Sequence, residues 1–396
     1  MFSDNFYPEI SGISDSLIES ARELAGLGHE IDFYVADYTE HDYNVANLPF
    51  EELDLGPWVK IYRLPSVPFP APTNQGRAII PTFLRWLSMR GDRRPDIIHT
   101  HLFFGAGMEA LAASRMLGVP LVGTSHTPVT EFVRYSPLRG AWTERVASRL
   151  VSWYYDRCAY VTAPSQGILD EMKASGFTRP CRPVSNPIDL ARFVSAEPGE
   201  RERFKRDFGL SEFTVLYTGR IAEEKHIDVI IRAVAKARET IPEITFAITG
   251  HGNAEASLRE LAESLGVAER VKFFGTLATD EHARIYRAAD VFAIASTAET
   301  QSLSLMKAFA SGIPAIGVNA RALPEYIRPD NGFIVEPGDA DAMAERLVFL
   351  HDHPERRTEL GNGGIALVSN FSPARIASEW IALYKEVISS YNSGKR

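Results

Sequence analysis

The chain has 396 residues, 45% of them hydrophobic and 23% charged, with a formal net charge of −9. That profile fits two soluble globular domains and argues against a general nucleic-acid binder. Cys158 and Cys181 have no metal-ligand spacing and read as buried or incidental thiols of a reducing compartment. No secretory leader and no run of ~18 apolar residues is recognised. A cytoplasmic chain is expected, free or peripheral on the inner face of the membrane. Charge is unevenly placed: residues 60–160 hold 13 Arg/Lys against 6 Asp/Glu, so the first half is expected to meet something anionic.

Short β-rich runs alternate with amphipathic helical stretches, which predicts α/β domains with parallel sheets. Met1-Phe2-Ser3 reads as the tail of a first strand that is either short or missing its opening residues. Residues 12–28 place Ile13, Leu17, Ala21, Leu24 and Leu27 on one helical face, closed by Gly28. Strands follow at Ile31–Val35 and Asp96–Thr100, then a helix near 104–118, strands at Val119–Thr124 and Ala159–Thr162, and a helix closed by Gly176. A Pro- and charge-rich switch near 186–212 reads as the interdomain connection. Beyond it, strands are predicted at Phe213–Thr218, Ile244–Thr249, Val271–Phe274 and Asp290–Ala295, with helices between them. The predicted domains are 1–190 and 191–372, each a doubly wound Rossmann-like unit whose ligands sit beyond the carboxyl ends of its strands. The cleft between two such domains is the expected site. A last helix over about 373–391 carries Ile376, Trp380, Leu383 and Val387 at helical spacing.

The chemistry-bearing residues cluster after strands. Glu299-Thr-Gln-Ser-Leu reads as a carboxylate at a strand end, a polar turn and a helix start over 302–311. A helix N-terminus holds anions through its free N–H groups and dipole, and a preceding carboxylate binds hydroxyls. That pairing suits a sugar diphosphate. Gly219 lets backbone approach a ligand, and Arg220 and Lys225 follow it as two cations five residues apart. Cations held there stabilise a leaving diphosphate as its charge grows. Gly250-His251-Gly252 makes a tight turn suited to phosphate or base, and ordinary turn chemistry explains it equally well. His99, His101 and His126 cluster at strand ends, but no carboxylate or cysteine completes a metal set at ligand spacing. Asp339-Ala-Asp341 matches a metal-binding D-x-D string, but it opens a helix after Pro337-Gly338, and helix capping explains it better.

These motifs resemble those of family 4 glycosyltransferases, and of their diacylglycerol glycosyltransferase-like members in particular. The resemblance runs over nearly the whole chain, from the loop at Tyr7–Gly12 through Ser185–Asp189 to the Glu299 helix. It implies the GT-B fold, two Rossmann-like domains facing across a cleft, with the last helix returning to pack on the first. It also implies retaining transfer of a hexosyl unit, without metal or other cofactor, from a UDP-linked nucleotide sugar to an acceptor hydroxyl. Arg220 and Lys225 would then stabilise the leaving diphosphate, Glu299 would orient the donor sugar, and His126 would line the reacting face. Gly12 would close over the diphosphate, with Ser11 as the helix N-cap. Gly219, Gly250, Gly252, Gly275 and Leu277 would form the loops around base and phosphate. Backbone N–H groups at Gln301, Ser302 and Leu303 would hold the diphosphate. The family has a second carboxylate eight residues after the first, to grip the ribose. Here that position is Lys307, and lysine cannot accept hydrogen bonds from ribose hydroxyls.

For the acceptor, residues 77–94 are read as a helix opening at Pro81, with an apolar arc bordered by Arg85, Arg90, Arg93 and Arg94 around Trp86. An ordinary packed helix fits this pattern as well as a lipid-facing one does. Arg134, Tyr135, Arg139 and Trp142 continue the basic-aromatic theme. A membrane lipid such as diacylglycerol is the favoured acceptor. The alternatives are a soluble or carrier-linked saccharide in polysaccharide assembly, and a non-catalytic nucleotide-sugar-binding protein. No nucleic-acid partner is expected.

Overall fold

The computed structural model describes residues 1–9, 11–69, 75–91, 94–126, 141–194 and 199–394. Arg93, residues 134–139 and the Thr127–Glu131 part of the His126 motif lie outside them. The chain divides into two compact units, Met1–Pro187 with Pro373–Arg396, and Ile188–Ser372.

The first unit is built on a seven-stranded parallel sheet. Its strands are β1 (Phe2–Ser3), β2 (Ile31–Ala36), β3 (Val59–Leu64), β6 (Ile98–Thr100), β7 (Leu121–Thr124), β8 (Tyr160–Ala163) and β9 (Cys181–Pro183), in the order β3-β2-β1-β6-β7-β8-β9. A separate antiparallel pair joins β4 (Ser66–Pro68) to β5 (Arg77–Ile79). The order reverses between β1 and β6, where Phe2 pairs with Thr100. Buried apolar side chains fill these strands, Phe33 and Val35 in β2, Val122 in β7 and Val161 in β8 among them, as expected of a sheet covered on both faces. Helix α1 (Gly12–Gly26) follows β1. Ser11 caps it, its hydroxyl accepting from the Ser14 N–H at 3.2 Å. Helix α2 (Gly105–Leu117) follows β6, and helix α3 (Ala141–Tyr155) precedes β8. The last helix, Pro373–Ser393, belongs to this unit and buries Ile376, Trp380, Leu383 and Val387.

The predicted helix over 77–94 is not what forms. Residues 77–79 are strand β5, and Arg85–Met89 is a short 3₁₀ turn. Local hydrogen bonds explain the difference. The buried Asp4 carboxylate accepts from the Ile79 N–H at 2.8 Å, and the Ile80 N–H donates to the Pro65 carbonyl at 2.9 Å. The Glu109 carboxylate of α2 takes the Thr82 N–H, the Thr82 hydroxyl at 2.9 Å and the Phe83 N–H at 2.8 Å. Phe83 is thereby held at φ +61°, which an α-helix cannot contain. Periodicity alone does not reveal two buried carboxylates that compete for these amides.

The second unit carries a six-stranded parallel sheet. Its strands are β10 (Thr214–Thr218), β11 (Thr245–Thr249), β12 (Val271–Phe273), β13 (Val291–Ile294), β14 (Ala315–Val318) and β15 (Gly332–Val335), ordered β12-β11-β10-β13-β14-β15. Val215, Leu216, Phe246, Ile248, Phe292 and Ile316 are fully buried along it. Helices α4 (Ile227–Ala237) and α5 (Leu303–Ala310) pack on the sheet. The order reverses between β10 and β13, and this places the loops after those two strands at the position where doubly wound sheets bind ligands. Asp339 caps a helix, its carboxylate accepting from the Ala342 N–H at 2.9 Å. The D-x-D string is thus a capping motif.

Candidate active site

The carboxyl ends of β10, β11 and β12 lock into one another through backbone. The Gly219 N–H donates to the Thr249 carbonyl at 3.1 Å, the Gly250 N–H to Gly275 at 2.8 Å, and the Ile221 N–H to His251 at 2.9 Å. Gly250 and Gly252 are required by contact: an added Cβ would lie 2.0 Å from the Gly219 carbonyl oxygen and 1.9 Å from that of Ile221. Leu277 packs on the core just beyond, and His251 projects into solvent. The sequence-predicted Gly219, Gly250, Gly252, Gly275 and Leu277 therefore form one loop cluster.

The charges sit on this frame. The Lys225 ammonium lies 2.6 Å from the Glu299 carboxylate, joining the loop after β10 to the loop after β13. Burial pushes the Glu299 carboxyl up. Lys225, a hydrogen bond from Ser296 and the more distant Arg220 more than reverse this, and the group is held below its ordinary value. Arg220 pairs with Glu224 at 2.6 Å, and the Tyr217 hydroxyl donates to the Arg220 carbonyl at 3.0 Å. Glu224 follows the same logic: burial raises it, and its own backbone N–H with Arg220 and Lys225 lowers it further. The two loops together thus hold two cations and two anions in fixed pairs. Ser302 starts α5, its hydroxyl accepting from the Leu305 N–H at 3.3 Å. Ser302 and the neighbouring Gln301 are buried, and Leu303 is the first helical residue.

Lys307, one turn into α5, has its ammonium 5.3 Å from the Phe193 ring centre. Phe193 meets His282 and Tyr286 edge-on, and the Thr218 hydroxyl bridges the two, 3.1 Å from His282 Nε2 and 2.9 Å from the Tyr286 hydroxyl. Burial, then the Lys307 charge, lowers His282 to about 4. Glu224, Tyr217, Ser296 and His282 are site residues that sequence reasoning missed. Only Glu224 carried a visible signal, its place four residues after Arg220.

The first unit gathers its histidines at the carboxyl ends of β6 and β7. His99 is clamped, with Nδ1 2.7 Å from the Tyr384 hydroxyl and Nε2 2.7 Å from the Thr124 hydroxyl. Both ring nitrogens are thus used. The His101 ring lies 4.0 Å from His99, and its Nδ1 is 3.0 Å from His126 Nε2. Among the described residues, His101 Nε2 is buried without a partner. The His101 Nδ1–His126 Nε2 contact needs one donor and one acceptor, so one of these two nitrogens carries a proton and the other does not. Burial lowers His126 to about 4, and His101 and His99 well below their ordinary value. All three are neutral at pH 7. Among the described residues no three His, Cys, Asp or Glu side chains are placed to hold a metal ion. Gly12 is exposed at the first turn of α1.

Of the basic-aromatic residues, Arg90 stacks on Trp86 at 3.9 Å, and Arg94 donates to the Leu117 carbonyl at 2.9 Å. Arg85 is half-buried, and Trp142 is exposed. Among the described residues, no helix is long and apolar enough to cross a membrane.

Two family models match the chain, Glycosyltransferase Family 4 over residues 10–192 and Glycosyl transferases group 1 over residues 199–366. An alpha-monoglucosyldiacylglycerol synthase of Streptococcus pneumoniae is 29% identical, over 80% of this chain and 70% of its own length. The synthase of the same name from Acholeplasma laidlawii is 24% identical, over 99% of this chain and 98% of its own length. Among solved structures, Anabaena HepE in complex with UDP superposes with a TM-score of 0.75 at 18% identity, over 97% of this chain and 98% of that one. Two parallel sheets with strand-end loops of this kind, and matches spanning both units, place the chain in the family 4 glycosyltransferases, as an enzyme with the GT-B fold.

Proposed function

We propose that this glycosyltransferase moves a hexosyl unit from a UDP-sugar to a hydroxyl of a membrane lipid such as diacylglycerol, with retention at the anomeric carbon. The observation that carries the reading is the Lys225–Glu299 pair at 2.6 Å, set where the strand order reverses and just ahead of the α5 N-terminus. Relatives named as monoglucosyldiacylglycerol synthases support the lipid acceptor. HepE, solved with UDP, supports the nucleotide.

In this reading the diphosphate lies against the N–H groups at Gln301–Leu303, and Lys225 and Arg220 meet its growing charge. Lys225 has three N–H donors, so it can keep Glu299 while it reaches a phosphate oxygen. Glu299 stays ionised and accepts from donor-sugar hydroxyls. The acceptor oxygen bonds to the anomeric carbon on the face from which the diphosphate departs, and its proton passes to the leaving oxygen. His126, held neutral by burial, offers its ring to hydroxyls at the reacting face. Cations and helix N–H groups compensate the charge, so no metal is required.

The test is a panel of nucleotide sugars offered with diacylglycerol dispersed in detergent, with glycolipid and free nucleoside diphosphate both measured. Glycolipid from one UDP-sugar is expected. Transfer only to soluble saccharides would overturn the lipid acceptor. Tight UDP binding with neither hydrolysis nor transfer across the panel would favour a non-catalytic binder and turn attention to Lys307.

A further inference from the structure

Helix α3 is apolar on the side that faces outward. Its inner side is anchored: the Tyr154 hydroxyl donates to the Gly107 carbonyl at 2.8 Å, and that of Tyr155 to the Thr124 carbonyl at 3.0 Å. Val151, one helical turn before them, is buried as well. The opposite side presents Trp142, Val146, Leu150 and Trp153, which are 73%, 45%, 53% and 41% exposed. At ~100° per residue these four fall within about 80° of arc. Folding leaves this stripe in water, where single exposed side chains are ordinary and a contiguous tryptophan-bearing stripe is not.

The surrounding charge says what covers it. Arg145 and Arg149 edge the stripe, both exposed and without an ion pair among the described residues. Arg157 stacks on Trp153 at 3.8 Å. Residues 141–157 hold three arginines against Glu144 and Asp156, in a chain whose net charge is −9. Tryptophan and leucine flanked by arginine suit the headgroup boundary of a bilayer, where the ring and stem are buried and the cation meets phosphate. A second patch, Phe83, Leu84 and Leu87, is exposed on the segment that Glu109 holds. Glu109 and Gly107 are two residues apart on α2, so one helix fastens both patches.

We propose that the outer face of α3, together with the 83–87 segment, docks the first unit onto a bilayer containing anionic phospholipid. This rests on the lipid-acceptor reading and adds the surface through which the enzyme meets that lipid's membrane. It moves the membrane contact from the predicted 77–94 helix, which does not form, to α3.

The full chain is sedimented with phosphatidylcholine vesicles with and without phosphatidylglycerol, in the absence of donor. Binding only to the anionic vesicles, weakened by salt, is expected. Arg145→Gln with Arg149→Gln should weaken that binding about 30-fold, and Trp142→Ser with Trp153→Ser should abolish it. All four side chains are exposed, and an unchanged melting temperature shows that each variant folds. Both variants should keep native transfer to detergent-dispersed diacylglycerol and lose it on vesicles. No native binding to anionic vesicles, native-like binding by the variants, or a dimer that the tryptophan variant dissolves would each overturn the docking surface. Vesicle binding without transfer from any donor would instead overturn the lipid-acceptor reading and leave the surface standing.

Discussion

The two units reverse their strand order in the same way and fill the ends of those strands with opposite chemistry. In the second unit, Lys225, Glu299, Arg220 and Glu224 are ionised and paired at 2.6 Å on a frame of glycine turns. In the first, His99, His101 and His126 are stacked, buried and neutral, and their hydrogen bonds run to Thr124 and to Tyr384, 285 residues further along the chain. A charged cluster stabilises a leaving group whose own charge changes during reaction. A neutral, hydrogen-bonded cluster orients hydroxyls, and its state is set by burial. The comparison predicts where each unit is fragile: the second to loss of one charge, the first to acid.

The largest expected effect is therefore at Lys225. Lys225→Ala removes a transition-state donor and the main compensation for the buried Glu299, whose carboxyl burial then pushes up. Turnover should fall by ~10²–10³, and the melting temperature should fall too, because a buried carboxylate loses its partner, as single-turnover and melting measurements would show. Near-native turnover would sink the charged-cluster assignment.

Acid should act more strongly on the first unit than on the second. His126 is lowered to about 4 from 6.5. Between those values the unfolded chain binds a proton that the folded chain refuses, so stability falls as pH falls from about 6.5. The slope is up to about 1.4 kcal/mol per pH unit for each such histidine. His99 and His101 add to it in the same direction, and the buried Asp4, raised to about 6, opposes it as one group. In the second unit His282 is of this kind, also near 4. The Lys225–Glu299 contribution has the opposite origin, a lowered carboxyl, and it is lost only as pH drops below the ordinary glutamate value of 4.5. All five tryptophans lie in the first unit, and Trp380 packs on His99 at 4.8 Å. Tryptophan fluorescence in a urea titration thus reads the first unit alone. Its midpoint should fall steadily from pH 6.5 to 4.5, and a flat midpoint there would break the neutral-cluster account.

Legibility in the sequence follows the same division. Four of the second unit's six strands, β10 to β13, were readable because buried parallel strands are short apolar runs, and Gly219, Gly250, Gly275 and Glu299 could be placed because they sit just past the ends of such runs. Lys225 and Glu299 are 74 residues apart, yet both lie just past readable strands. The first unit was harder to read. Its 77–94 segment has helical periodicity, and the buried carboxylates of Asp4 and Glu109 override it. The His101–His126 bond was not foreseen, because ring stacking leaves no mark in spacing. The α3 stripe escaped too, since an apolar face reads alike whether it meets a core or solvent.

The smallest expected effect tests the one place where the second unit departs from its family's charge pattern. Lys307→Glu exchanges the ammonium over Phe193 for a carboxylate. A cation–π contact of this kind is worth about 0.5–1 kcal/mol, so stability should shift little. His282 should respond more clearly. It is lowered by burial and then by Lys307, and a carboxylate in that position favours its charged form, so its titration should move up from about 4 when followed by NMR. If position 307 grips the donor's ribose, as the family pattern implies, the new carboxylate accepts hydroxyl hydrogen bonds that lysine cannot. Donor KM should then fall a few-fold, about 1 kcal/mol for a net hydrogen bond, with kcat unchanged because the contact is equal in ground and transition states. A change in kcat with KM fixed would place Lys307 among the groups that act on the leaving diphosphate, beside Lys225 and Arg220. The second unit would then hold three working cations.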